Sequence, residues 1–310
     1  MKSSTVFILL FIFSINLKAQ TTDTLYIDVN GIRLHAVLNQ PLLAENPPLA
    51  VIIAGSGPTD LNGNNPVMQN NSLKFLSEKL IEQGVATLRF DKRGVGKSNY
   101  FDFEEKNLVI EHYAADVEAL VRQFRKEGFT DIFIIGHSEG SLIGLLAARN
   151  ISINGFVSIA GAGSPADEIL KKQLQPRLPA TFFTQVETII DSLQQDFQVK
   201  NVPPQLNNLF RPSVQPYLIS WFNYHPSVLA GKLNCPVLII QGDKDIQIDK
   251  EETQKLANAS NSQALIINDM NHVLKTIPGD MQENVASYSD PALPVNTELI
   301  NAIVKFIKRR

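Results

Sequence analysis

One serine in this chain occupies a turn with the spacing of a nucleophile site. Ser138 lies at the centre of residues 136–140, which read G-H-S-E-G and fit the pattern G-x-S-x-G. Residues 132–135 form an unbroken β-branched and aromatic run, typical of a strand buried on both faces. After the turn, leucines recur at helical spacing among small residues. The pattern therefore predicts a buried strand, a sharp turn that exposes the serine hydroxyl, and a helix.

The two glycines of this turn have a steric role. Gly136 and Gly140 each stand two residues from Ser138, and a strained strand-to-helix turn brings such positions so close that a Cβ would clash. The same turn puts the backbone N–H of Glu139 in the first turn of a helix. Unpaired donors and the positive end of the helix dipole favour an oxyanion there. The stretch predicts nucleophilic attack on a carbonyl group.

This strand, turn and helix resemble the nucleophile elbow of the α/β-hydrolases, and the resemblance covers nearly the whole chain after residue 20. It implies a mostly parallel sheet of about eight strands flanked by helices. It also implies a second oxyanion donor in the loop G-S-G-P-T-D, for which Ser56 is the candidate and Gly57 the alternative. Many family members have His-Gly where this chain has Ala54-Gly55, but the donor is a backbone N–H, so the change matters little.

The resemblance also indicates the partners of Ser138. A serine nucleophile needs a neutral imidazole as its base, and the imidazole needs a carboxylate that fixes its tautomer. Asp245 matches the family's G-x-x-D placement after the strand at 237–241, whereas Asp243 falls earlier and is interpreted as a turn cap. Of the five histidines, only His272 follows a strand end after the acid, in the order Ser, Asp, His of this fold. The implied chemistry is acyl transfer to water, without a metal or an organic cofactor.

A second motif lies at residues 91–98, which read D-K-R-G-V-G-K-S. It resembles the D-x-R-G-x-G-x-S loop of many α/β-hydrolases. Asp91 and Arg93 are interpreted as a structural ion pair that braces the strand end near the elbow, and not as catalytic groups.

Hydrophobic periodicity predicts the elements that carry these motifs. Asn30-Gly31 is the dipeptide of a type I′ turn and predicts an antiparallel hairpin of residues 24–29 and 32–38. Buried strands are predicted at 49–54, 85–90, 154–160, 237–241 and 264–268, and helices at 71–83, 113–126, 249–259 and 296–308. The alternation of strand and helix predicts an α/β fold.

Residues 164–232 differ from the rest of the chain. They contain no buried strand run, frequent prolines and only short helical patterns at 169–178, 182–193 and 218–222. Such a segment between two sheet strands favours a helical lid over the carboxyl edge of the sheet. The predicted domains are a core of residues 21–163 and 233–310, and a lid of residues 164–232. The long loop at 273–295 has no assigned role.

The first twenty residues predict a secretory signal peptide. Lys2 precedes an apolar run at 6–15, and Ala19 is a candidate small residue at the cleavage site. The run is shorter than the roughly 20 residues that cross a bilayer. We expect a secreted or periplasmic protein with no stable membrane insertion of the mature chain, and an uncleaved anchor is the alternative.

Composition excludes several other classes of function. A net charge of -3 with 19% charged residues and no basic stripe argues against a nucleic-acid partner. The chain has neither metal-ligand spacing nor a dinucleotide fingerprint, and its single cysteine, Cys235, cannot form an internal disulfide. Composition and motifs leave the oligomeric state open.

Three functions remain in competition. A carboxylesterase for small or medium acyl esters is favoured, because a lid and export suit the hydrolysis of external esters. A serine aminopeptidase or amidase uses the same triad, and it predicts an acidic group in the pocket that holds a substrate amine. A non-catalytic binding protein on a hydrolase scaffold is the third, because fold does not fix function.

Overall fold

A single eight-stranded sheet organises the part of the chain that the computed structural model describes, residues 20–42, 44–100 and 102–309. Its strand order is β1-β2-β4-β3-β5-β6-β7-β8. The strands are β1 (Gln20–Val29), β2 (Ile32–Pro41), β3 (Leu49–Ile53), β4 (Ala86–Phe90), β5 (Ile132–His137), β6 (Gly155–Ile159), β7 (Val237–Gly242) and β8 (Ala264–Ile267). β2 is antiparallel to β1 and β4, and all other neighbours are parallel.

The strands form where the sequence is apolar or alternating, as predicted. Every residue of β3, β4, β5 and β6 is buried, which suits central strands that have helices on both faces. Asn30 and Gly31 have φ angles of 49° and 78°, the positive values of the predicted hairpin turn between β1 and β2.

Helices cover both faces of the sheet. On one face α2, α3 and α9 contribute to a cluster of buried side chains, and on the other face α1 and α11 contribute to a second cluster. These helices are α1 (Ser72–Glu82), α2 (Ile110–Lys126), α3 (Glu139–Ala148), α9 (Lys250–Ala259) and α11 (Thr297–Ile307). The predicted α/β architecture is confirmed.

The segment 164–232, which we call the helical insertion, lies between β6 and β7. Its α-helices are α4 (Ala166–Leu174), α5 (Ala180–Gln194), α6 (Asn207–Phe210), α7 (Gln215–Phe222) and α8 (Pro226–Ala230). Residues of α4 to α7 form their own buried apolar cluster, which includes Val186, Ile190 and Phe210. The insertion therefore carries a small core of its own.

The loop after β8 is more ordered than the sequence indicates. It contains the short helix α10 (Met281–Ser287), whose first turn is capped by the side chain of Asp280. Lys275 is wholly buried in this segment, where its ammonium group donates to Leu293 O and lies 4.6 Å from the ring centre of Phe75. Buried polar contacts thus hold this segment in place, so it lacks the regular spacing of apolar residues from which a helix is predicted.

The predicted signal peptide, residues 1–20, lies outside the described residues except for Gln20, which begins β1. Among the described helices, none combines the length and apolar character that crossing a membrane requires.

Candidate active site

The sheet topology brings the three predicted site residues to one edge. Ser138 directly follows β5, Asp245 follows the end of β7 by three residues, and His272 lies in the loop after β8. Because β5, β6, β7 and β8 run parallel, the residues after their carboxyl ends lie at the same edge of the sheet.

Asp245 and His272 form a buried pair. The distance between His272 Nδ1 and Asp245 Oδ2 is 2.8 Å, and the other carboxylate oxygen accepts the N–H groups of Gln247 at 2.7 Å and Ile248 at 3.0 Å. Burial raises the pKa of Asp245, but the imidazole and the two N–H groups outweigh it and hold the pKa below its usual value. The carboxylate stays ionised and orients Nδ1–H, so the other imidazole nitrogen is free to act as a base.

The serine stands in a strained turn. Ser138 has φ 54° and ψ -121°, a conformation that L residues rarely adopt. A Cβ on Gly136 would lie 2.3 Å from Gly140 O, and one on Gly140 would lie 2.4 Å from Ile53 O. Both positions therefore exclude any side chain, as predicted from their distance of two residues from Ser138.

The imidazole of His272 lies against the residue before the serine. Its ring centre is 4.9 Å from that of His137, whose Nε2 is 2.8 Å from His272 O. Burial, together with the nearby His272, lowers the pKa of His137 to about 3, so this ring is neutral and donates Nε2–H to the carbonyl. Within the described residues, the hydroxyl of Ser138 makes no hydrogen bond, so the imidazole of His272 is adjacent to the elbow without being bonded to the serine.

Two backbone donors flank the serine. Ser56 and Glu139 line the same cavity as Ser138, and a Cβ placed on Gly55 would be 3.3 Å from Ser138 Cβ. In the described part of the chain, neither the Ser56 N–H nor the Glu139 N–H donates to another group. Gly57, the alternative to Ser56, also lines the cavity. Unengaged N–H groups beside a nucleophile suit a carbonyl oxygen that gains negative charge.

The predicted ion pair of Asp91 with Arg93 is wrong. Arg93 donates to Asp116 at 2.8 Å, and Asp91 lies 2.8 Å from His35 Nδ1. The turn after Asp91 folds back over its carboxylate, so that a Cβ on Gly96 would lie 2.5 Å from Asp91 Oδ2. Both residues therefore brace the strand end, but through separate partners.

Sequence comparisons match this chain to a family model and to a relative. The family model described as "Serine aminopeptidase, S33" matches residues 70–213, which include Ser138 but neither Asp245 nor His272. Esterase EstD from Thermotoga maritima is 25% identical over 246 residues. This match covers 78% of the chain and 57% of EstD, so the chain spans little more than half of that relative.

Solved structures share the whole fold. Est1E from Butyrivibrio proteoclasticus superposes with a TM-score of 0.59 at 23% identity, over 92% of this chain and 98% of its own. The esterase Pf2001 from Pyrococcus furiosus gives a TM-score of 0.57 at 14% identity, over 93% of this chain and 92% of its own. The chain has the α/β-hydrolase fold.

A cavity of about 380 Å³ opens beside Ser138, between the sheet edge and the helical insertion. Its wall is largely apolar and includes four aromatic side chains, Phe103, Tyr113, Tyr217 and Trp221. Of the aromatic side chains of the insertion, Tyr217 and Trp221 line the cavity, whereas Phe210 and Phe222 are buried in the insertion's core. Within residues 20–42, 44–100 and 102–309, no cluster of three His, Cys, Asp or Glu side chains is arranged to bind a metal ion.

Sequence reasoning missed two residues that contact the neighbours of the candidate site. Lys92 is almost wholly buried and pairs with Glu139, and Asn284 on α10 bonds to the loops that carry Asp245 and His272. The sequence did carry a signal for Lys92, because a lysine at the end of an apolar strand needs an anionic partner and Glu139 lies inside the elbow. For Asn284 the sequence carried no signal, because its partners are distant backbone and amide groups.

Proposed function

We propose that this α/β-hydrolase is a serine carboxylesterase that cleaves esters of small to medium acyl groups through an acyl-enzyme. The observation that carries the proposal is the Asp245–His272 pair at 2.8 Å, at the sheet edge where Ser138 stands in its strained turn. The two unengaged N–H groups of Ser56 and Glu139 complete the requirements of acyl transfer.

The proposed mechanism has two half-reactions. His272 takes the proton of Ser138 as the hydroxyl attacks the ester carbonyl, and the two N–H groups bind the oxyanion of the tetrahedral intermediate. His272 then protonates the leaving alcohol, and an acyl group remains on Ser138. Water, deprotonated by His272, releases the acid. The missing hydrogen bond between Ser138 and His272 must form when substrate binds, as catalytic hydrogen bonds often do.

The charges of the cavity favour an ester over a peptide with a free amine. Among the described residues that line it, the two carboxylates are Glu105 and Glu139. Glu105 accepts from Arg211 Nε at 2.9 Å, and Glu139 pairs with Lys92 at 2.9 Å. A site for an α-ammonium group needs an unpaired carboxylate, because burying a charge without a partner is costly. Both carboxylates already have a cation.

Two further observations support this class of substrate. EstD is named an esterase. A cavity of about 380 Å³ with a largely apolar wall suits an acyl or alkoxy group of a few carbons up to one aromatic ring. We infer that the helical insertion acts as a lid over this cavity, because α4 and α7 supply Ile169, Leu170 and Trp221 to its wall.

We also propose that residues 1–20 direct export to the periplasm or the medium. The proposal is based on the short apolar run behind Lys2. Expression of the full chain followed by cell fractionation and N-terminal sequencing tests it: a cleaved protein outside the cytoplasm is expected, and an uncleaved cytoplasmic protein would contradict it.

The activity is tested by turnover of p-nitrophenyl acetate and butyrate by the purified mature chain. We expect hydrolysis, and Ser138→Ala should lower kcat by roughly a million-fold, because the covalent route is lost. Ser192→Ala, which changes a half-buried serine of α5 that does not line the cavity, is the matched control and should keep full activity. Equal rates for Ser138→Ala and the wild type would contradict the proposal.

A serine aminopeptidase is the second candidate, favoured by the family model that matches residues 70–213. It uses the same three residues but requires an amine site. Turnover of aminoacyl p-nitroanilides without turnover of simple esters would favour it over the esterase. No turnover of either class would favour a binding protein on this fold.

A further inference from the structure

The oxyanion side of the site has a buried cation behind it. Lys92 is 1% exposed, and its ammonium group donates to Gly55 O at 2.6 Å and to Glu139 Oε1 at 2.9 Å. It also lies 4.9 Å from the ring centre of Tyr113. Both hydrogen-bond partners belong to the segments that supply the proposed oxyanion donors.

The contact with Gly55 fixes the direction of one donor. Gly55 C=O and Ser56 N–H are the two ends of a single peptide group, and in a trans peptide they point in opposite directions. When Lys92 holds the carbonyl oxygen, the N–H of Ser56 is therefore aimed away from the ammonium group. The positive charge of Lys92 beside the carbonyl oxygen also polarises the peptide group and strengthens its N–H as a donor.

The contact with Glu139 fixes the other donor. Glu139 is the first residue of α3, and its own N–H is the second proposed oxyanion donor. Its carboxylate is drawn back to Lys92, so its side chain stays away from the place where an oxyanion would form. One ammonium group thus ties the two donors together.

Stability alone does not explain this pair. A buried ion pair often contributes no more to folding than apolar side chains of similar volume, because two charges must leave water. We propose that Lys92 is a positioning residue of the esterase: it aligns the N–H groups of Ser56 and Glu139 for the oxyanion and so stabilises the transition state. This inference rests on the proposed function and assigns Ser56, rather than Gly57, as the second donor.

The test compares transition-state affinity with ground-state affinity. For Lys92→Met we expect kcat/KM for p-nitrophenyl butyrate to fall roughly 100-fold, the effect of losing one oxyanion donor. KM should change less than about 3-fold, and the affinity for an alkyl trifluoromethyl ketone, which forms a tetrahedral oxyanion on the serine, should fall in parallel with kcat/KM. Lys171→Met, which breaks the exposed pair with Asp191 on the helical insertion, is the matched control and should change neither.

Two more variants separate positioning from folding. Lys92→Met leaves Glu139 buried without a cation, so the double variant Lys92→Met/Glu139→Gln removes both charges and should fold more stably than the single variant. It should nevertheless keep the low kcat/KM and the weak ketone affinity. If Lys92→Met does not fold, the double variant decides the question.

Folded variants that lack Lys92 but bind the ketone as tightly as the wild type would overturn the inference. Recovery of kcat/KM in the double variant would do the same, because the ion pair would then be only structural. Either result leaves the esterase activity of the wild type in place, whereas a wild type without turnover would refute the proposed function itself.

Discussion

The two sides of the proposed active site are held by different chemistry. On the base side, Asn284 donates to Lys244 O at 2.7 Å and accepts from Asn271 Nδ2 at 3.0 Å. Lys244 precedes the acid Asp245, and Asn271 precedes the base, so one neutral amide on α10 ties the two loops together. On the oxyanion side, the charged pair of Lys92 with Glu139 performs the equivalent task.

The difference follows the charge that each side gains during the reaction. An imidazolium forms on the base side, and Asp245 is already present to stabilise it, so the brace around the pair needs no charge of its own. An oxyanion forms on the other side, where it is stabilised by the N–H groups of Ser56 and Glu139 that Lys92 aligns. Both sides are therefore held in position, the base side by a neutral amide and the oxyanion side by a charged pair.

The largest effect is expected at the acid, where orientation and charge coincide. Asp245→Asn should lower kcat/KM roughly 10⁴-fold, because the amide leaves the imidazole in the wrong tautomer and its cation unstabilised. Steady-state kinetics with p-nitrophenyl butyrate measure this. Asp243→Asn is the control two residues away, since Asp243 Oδ1 is buried without a hydrogen bond in the described residues, whereas His272 Nδ1 pairs with Asp245. Equal losses in both variants would mean that Asp245 does not orient the base.

A smaller effect is expected where only orientation is lost. Asn284→Ala should lower kcat about 10-fold and the free energy of unfolding by about 1–3 kcal/mol, because the Lys244 carbonyl and the Asn271 amide lose a buried partner. Kinetics and urea unfolding measure the two quantities. Asn258→Ala, an exposed amide on α9, should change neither. A loss of kcat as large as that of Asp245→Asn would erase the distinction between brace and catalytic group.

The smallest effect on activity is expected at His137. Its replacement should change mainly how the free energy of unfolding depends on pH. Its pKa is about 3 in the folded protein and near 6.5 when exposed, so the unfolded chain binds a proton that the folded chain excludes. Its contribution to stability is complete above about pH 6.5 and is lost as the pH falls towards 3, with a slope of up to roughly 1.4 kcal/mol per pH unit.

Urea unfolding at several pH values tests this. His137→Gln keeps a donor for the His272 carbonyl and should flatten the acid loss, whereas His225→Gln, at an exposed position, should leave it unchanged. An identical acid profile for His137→Gln and the wild type would mean that another group controls acid unfolding.

The sheet and the elbow were predictable because they depend on local patterns. Buried strands have continuous apolar sequences, and the Asn30-Gly31 dipeptide favours the positive φ angles of its turn. At Gly136 and Gly140 the close backbone contacts leave no room for a side chain. In the helical insertion, α4, α5 and α7 lie near the predicted positions, whereas α6 and α8 are too short for periodicity to show.

The bracing groups were not predictable because their partners are far apart in sequence. Arg93 pairs with Asp116 and not with Asp91, whose carboxylate is enclosed by the turn that contains Gly96. Lys92 and Glu139 are 47 residues apart. The sequence marks each as an unusual charged residue, at a strand end and inside the elbow, but does not show that the two form a pair. Helix α10 is short, and polar contacts rather than an apolar face hold it in place.

The central claim is that the strained serine is the group that carries the acyl intermediate. Titration of the wild-type protein with a fluorophosphonate, followed by peptide mass spectrometry, tests it most directly. We predict that esterase activity falls linearly to zero at one equivalent of bound phosphonate and that the label is on Ser138. Full activity in the labelled protein, or inactivation with the label on any other residue, would contradict the account.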